Sequence, residues 1–370
     1  MKLCFVVIGV FGRHANMKRA FGMAPHLIRA GHDVTICLED APENRQAMSS
    51  IPGCKALWFS KSSVWGERRQ KRELLRQATF DYVHFCGLGW RNILLPVIDT
   101  SVPAVMEHTE LESTFLGTSK YRRIGQWLLE YLSLYLYPNS IVVSKYLDAL
   151  FRERLRSVRM DKNILYLPFA SDATFHHSDS SSVPELLQER GDRKILTYMG
   201  NLYPAYAVFE ILQALSELRT TRQDWIFCYI GDGPARGELE KRVRDSNLEK
   251  MVRFTGRLSE SQMAPYMNAS SAFISPLQNT ITDQARCPGK TFIYMMFEKP
   301  IVTCRIGEAE HALGDDGFYY TAGDPVSMCT AIHRALDASP AWRPRYDPSD
   351  HTWAARAGVY SRWLSTLRTA

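Results

Sequence analysis

The sequence of 370 residues lacks several features that would assign it to a specialised class. No stretch reaches the roughly 18 apolar residues of a membrane-spanning helix. The opening apolar run is short and no small-residue cleavage site follows it, so we expect a first buried strand rather than a signal peptide. A net charge of +6 with no lysine-rich arm or aromatic-basic motif argues against a nucleic-acid partner.

Paired cysteines and acidic metal motifs are also missing. The eight cysteines are widely spaced, with no Cys-x-x-Cys pair, and most lie in apolar runs where a reduced thiol acts as a small hydrophobic side chain. No Asp-x-Asp motif for a divalent metal occurs. We therefore expect reduced thiols, a cytoplasmic location and no metal site.

What is present is a repeated alternation of apolar strands and helical segments. A composition of 45% hydrophobic and 23% charged residues is typical of a globular chain, and the length suits two domains. The pattern predicts an α/β protein of two Rossmann-like, doubly wound domains facing a cleft, with ligands at the carboxyl ends of the strands. The predicted strands are 3–10, 32–38, 56–59, 82–85, 104–107 and 140–143 in the first half, and 194–199, 225–230, 252–255 and 272–276 in the second.

The two predicted domains cover residues 1–172 and 194–349. The polar segment 173–193 between them contains His176 and His177, and because no further ligands accompany this pair we interpret it as a solvated linker rather than a metal site.

Five segments of the second half carry a resemblance to a known family: 198–202, 230–234, 252–257, 287–295 and 299–302. In this order they resemble the retaining glycosyltransferases of family four (glycosyl transferases group 1), which have the GT-B fold. The resemblance covers residues 195–330 well and the first half only in outline. It implies sugar transfer from a nucleoside-diphosphate sugar without a further cofactor. It also implies that a C-terminal helix, 350–370, packs back on the first domain.

The resemblance places the donor site in the second domain. Pro288 and Gly289 precede an apolar helix whose free N–H groups suit a diphosphate, and Lys290 adds a mobile cation. Gly231 lies near the nucleotide base in the family, and Glu308 follows a later strand. The plainer alternatives are an exposed lysine, an ordinary turn and a surface loop.

On the acceptor side the resemblance singles out Gly12, in the loop after the first strand, and His108, which ends the strand 103–107. Similar enzymes carry a histidine there beside the donor sugar, where it can bond to a hydroxyl or help to handle the acceptor proton. A structural histidine is the alternative. Further candidates for acceptor contacts are Glu107, Glu110, Glu112 and, more weakly, His84.

The sequence departs from the family at the donor site. The family's paired glutamates are replaced by Ala285 and Ile293, and its basic pair is replaced by Asn201 and Tyr206. The Asn-Gly pair that follows the interdomain strand in the family is replaced here by Phe-Ala at 169–170. Each lost charge-assisted bond is worth about 1.5–3 kcal/mol. Either another cation compensates, or the donor is unusual, or the protein is a catalytically silent binder. The candidate cations are Arg286, our first choice, and Lys290, Arg257 and Arg305.

The segment 121–137 is rich in aromatic and basic residues. It could contact the inner face of a membrane where a lipid-linked acceptor waits, but its apolar residues recur almost all round, which favours a buried crossover helix. The acceptor itself stays open between a polysaccharide, a glycolipid and a natural product. A sugar-nucleotide epimerase on the same fold fits the order of motifs less well.

Overall fold

The computed structural model describes residues 1–12, 16–92, 103–115, 119–172 and 190–367. The chain divides into two compact units. The first comprises Met1–Phe169, Gln284–Cys287 and Trp353–Ala370, and the second comprises Ala170–Asp283 and Pro288–Thr352. Most of the predicted linker, with His176 and His177, lies outside the described residues.

A parallel sheet forms the centre of the first unit. Its strand order, β3-β2-β1-β4-β5-β6-β7, reverses direction between β1 and β4, which makes this pair the topological switch point. The strands are Lys2–Val6 (β1), Asp33–Glu39 (β2), Lys55–Phe59 (β3), Tyr82–Phe85 (β4), Ala104–His108 (β5), Asn139–Val142 (β6) and Asn163–Tyr166 (β7). The helices are Met17–Arg29 (α1), Pro42–Ser49 (α2), Val64–Arg76 (α3), Lys120–Leu136 (α4) and Lys145–Ser157 (α5).

The second unit repeats this plan with a parallel sheet of strand order β10-β9-β8-β11-β12-β13. Its switch point is the pair β8 and β11. The strands are Lys194–Met199 (β8), Trp225–Ile230 (β9), Val252–Gly256 (β10), Ala272–Ser275 (β11), Ile301–Cys304 (β12) and Phe318–Tyr320 (β13). The helices are Val208–Thr221 (α6), Arg236–Asp245 (α7), Glu260–Ala269 (α8), Ile281–Ala285 (α9), Gly289–Met295 (α10), Gly307–Leu313 (α11) and Pro325–Leu336 (α12), of which α9 has its last two residues in the first unit.

The last helix, Trp353–Leu367 (α13), belongs to the first unit and packs on α1. At the crossing, Gly22 lies so close to Trp353 that a Cβ on Gly22 would stand 2.5 Å from the indole ring. The Tyr82 hydroxyl donates to the Leu364 carbonyl (3.1 Å), and the Tyr360 hydroxyl lies 3.2 Å from His84 Nδ1. These buried contacts make α13 part of the core of the first unit.

Several predicted elements differ from the observed ones. The first strand ends at Val6, four residues early, and Gly9 has a φ of 90° that leaves the strand region. The units divide after Phe169, and Gln284–Cys287 belongs to the first unit although the sequence-based boundaries include it in the second. The expectation that 121–137 forms a buried helix was wrong: only five of its residues are buried, and an apolar face is exposed.

Candidate functional site

The carboxyl ends of β8 and β9 approach each other so closely that glycine is required. The Gly200 N–H donates to the Ile230 carbonyl and the Gly231 N–H to the Gly256 carbonyl, both at 2.9 Å. Gly231 has a φ of 139°, and a Cβ there would stand 2.0 Å from the Gly200 carbonyl oxygen. Only a residue without a side chain fits, so a ligand at this edge would meet bare backbone.

Lys290 extends over the same strand end from α10. Its Nζ lies 4.1 Å from the centroid of the Tyr198 ring and 5.7 Å from that of Tyr206, and it would stand 3.1 Å from a Cβ on Gly200. The two rings attract the ammonium group through their negative faces and hold it beside the backbone of Gly200, at the carboxyl end of β8. Because α10 has only seven residues, the cation and the exposed backbone matter more here than a helix dipole.

Contacts beneath α10 fix this arrangement. The Met199 N–H donates to the Tyr294 hydroxyl at 2.8 Å, and the hydroxyls of Ser275 and Thr291 lie 2.9 Å apart. These bonds tie α10 to β8 and to β11. The position of Lys290 is therefore set by the buried core of the second unit.

The other donor-side residues are distributed along the same edge. Asn201 is exposed, and its carbonyl accepts a bond from the Tyr198 hydroxyl at 2.9 Å. Arg257 is exposed directly after β10, whereas Glu308 is buried, with 1% of its surface exposed, in α11 after β12. Arg305 lies 4.3 Å from the Tyr319 ring and pairs with Glu310 and Asp315. The structure thus brings Asn201, Gly231 and Lys290 to one strand end; Arg257 follows Gly256, the bonding partner of Gly231, whereas Arg305 and Glu308 follow β12 on the other side of the sheet.

Tyr198 is a site residue that the sequence indicates only as the first position of the segment 198–202. It lies in a buried strand, where an aromatic residue is expected in a core. Its position beside Lys290 depends on the packing of α10, so no local pattern in the sequence signals it.

Gly12, on the acceptor side, is exposed with a φ of 80°, and no atom lies within 4 Å of the position of a Cβ. The buried Asn44 braces the preceding residues: it accepts from the Phe11 N–H at 2.7 Å and donates to the Gly9 carbonyl at 3.2 Å. Residues 13–15 of this loop lie outside the described part of the chain.

His108 is the last residue of β5 and only 1% of its surface is exposed. Its ring meets the Phe151 ring edge-on at 4.7 Å, and its Nε2 lies 3.4 Å from the Ser133 hydroxyl. Burial lowers the pKa of His108 to about 3, so the imidazole is neutral at physiological pH. A neutral imidazole keeps one ring N–H, so it can donate one hydrogen bond and accept another, but it carries no imidazolium proton to release.

Glu107 and His84 form a buried charged group with Arg19. The Arg19 Nε lies 2.6 Å from Glu107 Oε1, and the His84 Nε2 lies 3.4 Å from Glu107 Oε2. Burial alone would raise the pKa of Glu107, but the neighbouring Arg19 and His84 hold it below its usual range. We interpret Glu107 as a structural carboxylate, because its charge is already neutralised inside the core.

His84 and Glu107 also form, with Cys86, a cluster of side chains that could bind a metal ion. Within the described ranges, the ligand atoms of His84, Cys86 and Glu107 lie within 4.8 Å of one another, and all three residues are buried. Arg19 occupies one oxygen of Glu107, so its positive charge would repel a cation at this place. The cluster therefore fits an internal ion pair better than a metal centre.

Glu110 is partly accessible, and the pKa of its carboxyl group is raised well above the ordinary value. It is half-buried in the loop after β5. Burial and the nearby charge of Glu112 raise the pKa of Glu110 to about 7, against the opposing charge of Arg286. Glu110 and Arg286, both in the first unit, are thus close enough to interact electrostatically. A carboxyl group with a pKa near 7 can both take and release a proton at physiological pH.

Comparison with solved structures supports this reading of the fold. The chain is similar to Anabaena HepE in complex with UDP (TM-score 0.70, 15% identity, covering 100% of this chain and 98% of that one). It is also similar to a glycosyltransferase from Rickettsia africae (TM-score 0.68, 12% identity, covering 100% and 97%). The two doubly wound parallel sheets define a protein with the GT-B fold, as the sequence predicted.

Within that class, residues 193–338 match the family model for glycosyl transferases group 1, so the chain carries a domain of this family and the predicted resemblance is confirmed. It is 24% identical to the alpha-D-kanosaminyltransferase of Streptomyces kanamyceticus over 60% of each chain. It is 25% identical to the lipopolysaccharide 1,2-N-acetylglucosaminetransferase of Salmonella typhimurium over 53% of this chain and 52% of the relative. The chain thus spans less than two thirds of these relatives.

Proposed function

We propose that this protein is a glycosyltransferase that moves a sugar from a nucleoside-diphosphate sugar to an acceptor with retention of anomeric configuration. The observation that carries the proposal is Lys290, held by Tyr198 and Tyr206 beside the bare backbone of Gly200 and Gly231 at the carboxyl ends of β8 and β9. The group 1 domain at 193–338 contains all of these residues. Anabaena HepE, a solved protein of the same fold, has been crystallised with UDP and with UDP-glucose.

In this proposal Lys290 is the principal cation for the diphosphate. The family's basic pair is replaced by Asn201 and Tyr206, and Tyr206 instead contributes a ring that orients the lysine. Arg286 was our first choice for a compensating cation, but it belongs to the first unit, where its charge acts on Glu110. Arg257, exposed after β10, and Glu308 are secondary donor-side candidates.

For the acceptor side we propose that Glu110 handles the proton and that His108 acts as a neutral hydrogen-bonding group. The pKa of about 7 suits Glu110 to proton transfer, whereas a pKa of about 3 keeps His108 neutral, with no imidazolium proton to release. Gly12 has no side chain, so it would contact the acceptor through its backbone. The acceptor is a polysaccharide, a glycolipid or a natural product.

We further propose that transfer needs no metal, since a lysine ammonium and backbone N–H groups can stabilise the charge of the leaving diphosphate. All eight cysteines are free thiols, consistent with a cytoplasmic site of action. No helix in the described ranges is long and apolar enough to span a membrane.

The test measures the binding of UDP, GDP and related nucleotides through the thermal unfolding of the protein in the presence of EDTA. We expect at least one nucleotide to raise the melting temperature without magnesium, because a ligand of the native state stabilises it. Lys290→Ala should weaken that binding about tenfold or more, as expected for loss of a charge-assisted contact. The matched control is Lys241→Ala, which removes an exposed lysine from α7 and should leave affinity unchanged.

Three results separate the alternatives. No stabilisation by any nucleotide at millimolar concentration would overturn the donor assignment. Equal affinity in wild type and Lys290→Ala would show that the diphosphate lies elsewhere. Tight binding without transfer or hydrolysis of any offered nucleotide sugar would favour a catalytically silent binder, the interpretation suggested by Ala285 and Ile293.

A further inference from the structure

Lys71 is a fully buried lysine that the proposed transfer does not use. It lies in α3, and its ammonium group is 2.8 Å from Glu67 Oε1, one turn earlier in the same helix. The ammonium group also lies 4.5 Å from the centroid of the Phe59 ring and donates to Asn92 Oδ1 at 3.0 Å. Burying a charge costs free energy, which these contacts offset, and the bond to Asn92 extends them to a loop outside α3.

Asn92 is the buried end of the loop 86–92, which follows β4. Its N–H donates to the Gly89 carbonyl at 2.8 Å, and its side-chain amide donates to the Gly87 carbonyl at 3.4 Å. Its own carbonyl accepts a bond from the Tyr137 hydroxyl at 3.2 Å. Together with the bond from the buried lysine, these contacts fix both the backbone and the side chain at this end of the loop.

A second cation, Arg91, holds the same end of the loop. It pairs with Glu67 and donates to the Ser62 carbonyl at 3.2 Å. Burial lowers the pKa of Lys71, whereas the charge of Glu67 opposes that shift. The single carboxylate of Glu67 thus stabilises one cation within α3 and another in the loop, and it ties the loop to the helix.

The other end of the loop lies at the switch point of the first sheet. The Cys86 N–H donates to the Val6 carbonyl at 2.9 Å, so the loop starts where β4 and β1 end side by side. Asn16 Nδ2 donates to the Cys86 carbonyl at 3.2 Å. A Cβ on Gly89 would stand 3.4 Å from Ile8, in the loop after β1. Because ligands of doubly wound sheets bind outside the carboxyl ends of the strands at such a point, the loop borders the expected ligand position of the first unit.

Trp90 is the large side chain that this loop presents. It is 47% exposed, and its ring lies 4.0 Å from the position of a Cβ on Gly125 in α4. A side chain on a fixed loop loses little conformational freedom when a ligand covers it. An indole ring offers a broad, flat apolar surface, and the C–H faces of sugar rings are apolar surfaces of matching shape.

We propose that Trp90 is a stacking surface for a sugar ring of the acceptor and that Lys71 and Glu67 are positioning residues that hold it in place. Lys71 and Glu67 are buried, so they act through the loop 86–92 rather than on the acceptor itself. Sugar stacking at Trp90 rests on the proposed transferase function, and it makes the acceptor a carbohydrate whose ring, rather than a lipid chain, meets the first unit.

The experiment is saturation-transfer NMR on the full chain in the presence of UDP or GDP. The probes are the methyl glycosides of glucose, galactose, mannose and N-acetylglucosamine. We expect at least one glycoside to bind, with the strongest saturation on the ring protons of one face, as stacking requires. Trp90→Ala should weaken this binding about tenfold, whereas Trp90→Phe should keep most of it. The matched control is Trp65→Ala, which removes a tryptophan that is 73% exposed in α3 and should bind as the wild type does.

The double variant Lys71→Met, Glu67→Gln tests the positioning residues, and it removes both charges so that neither is left buried and unpaired. We expect unchanged nucleotide binding, about fivefold weaker glycoside binding and faster amide exchange in the loop 86–92. Adding Trp90→Ala to this pair should weaken glycoside binding no further than Trp90→Ala alone, because the charges act through the ring. If the pair unfolds the first unit, Arg91→Ala replaces it, with about threefold weaker binding and the same lack of additivity expected.

The outcomes separate sugar stacking from the proposed function. If UDP or GDP stabilises the protein but no glycoside is saturated, or if Trp90→Ala binds as tightly as the wild type, the stacking surface is overturned and the donor assignment stands. If glycosides bind at Trp90 but no nucleotide binds, the sugar site stands and the transferase function is overturned. Losses that add between Trp90→Ala and the charge variants would overturn the positioning roles. With n-octyl β-D-glucoside, saturation of the alkyl protons alone would overturn the stacking surface, since Trp90 would then contact a chain.

Discussion

Removing the guanidinium of Arg19 tests whether the charged group under β5 is structural. In Arg19→Met the Glu107 carboxylate loses a partner 2.6 Å away, and the Leu167 carbonyl loses a donor, also at 2.6 Å. Both Arg19 and Glu107 are fully buried, so water cannot replace the lost bonds. Breaking one side of a buried ion pair costs about 3–5 kcal/mol. For a unit of this size that corresponds to a drop in melting temperature of about 6–20 °C.

The assay is scanning calorimetry at pH 7. Because the pKa of Glu107 lies below its usual value, its stabilising contribution is complete above about pH 5 and is lost as the pH falls through the folded-state pKa. At pH 7 the carboxylate is therefore charged in both states, and the full penalty appears. The transition that a bound nucleotide shifts reports the second unit and serves as an internal reference.

The double variant Arg19→Met, Glu107→Leu is the control. Removing both charges leaves no unpaired ion, so most of the lost stability should return, as it does when buried ion pairs are replaced by apolar residues of similar size. The reasoning fails if Arg19→Met melts within about 2 °C of the wild type. It also fails if the double variant is no more stable than the single one, because the penalty would then not arise from an uncompensated carboxylate.

Two other predictions concern the site itself. If Glu110 takes up the acceptor proton, the transfer rate should rise with pH through about 7, and the Glu110→Gln variant should lose this rise. The His108→Ala variant should keep the rise at the same pH. A shift of its midpoint in His108→Ala would instead assign the proton transfer to His108. Gly231→Ala should lose at least about 2 kcal/mol of stability as well as nucleotide affinity, because a Cβ collides with backbone at a φ of 139°. Gly237→Ala in α7, where the position of the Cβ is open, should be stabilised by about 0.5–1 kcal/mol, and equal melting of the two variants would contradict the packing argument.

The fold was readable from the sequence because buried parallel strands are continuous apolar runs. The predicted bounds of β8 and β9 agree with the structure to the residue, and Gly31, at a φ of 85°, lies just after the end of α1 as expected. The short β13, with three residues, offers too little periodicity to be detected. The first strand was overextended because 7–10 stays apolar after the backbone leaves the sheet.

The site was less readable, since it depends on packing between distant segments. Nothing near Arg19 in the sequence indicates that it pairs with Glu107, 88 residues away. The apolar residues of 121–137 fill most of the helix circumference, so periodicity alone did not distinguish a buried helix from one with an exposed apolar face. The roles of Lys290 and Glu110 likewise follow from neighbours that only the folded chain supplies.

The place of α13 in the first unit has a consequence for how the chain folds during synthesis. The groove of α1 at Gly22 and the hydroxyl of Tyr82 acquire their partners only when residues 353–367 have been made. All residues of the second unit lie between 170 and 352, so they have been made before that point. Domains usually fold in the order in which they emerge from the ribosome. Here the first unit starts before the second and is finished after it, so until residues 353–367 have been made it carries an open apolar seam that is exposed to chaperones and proteases.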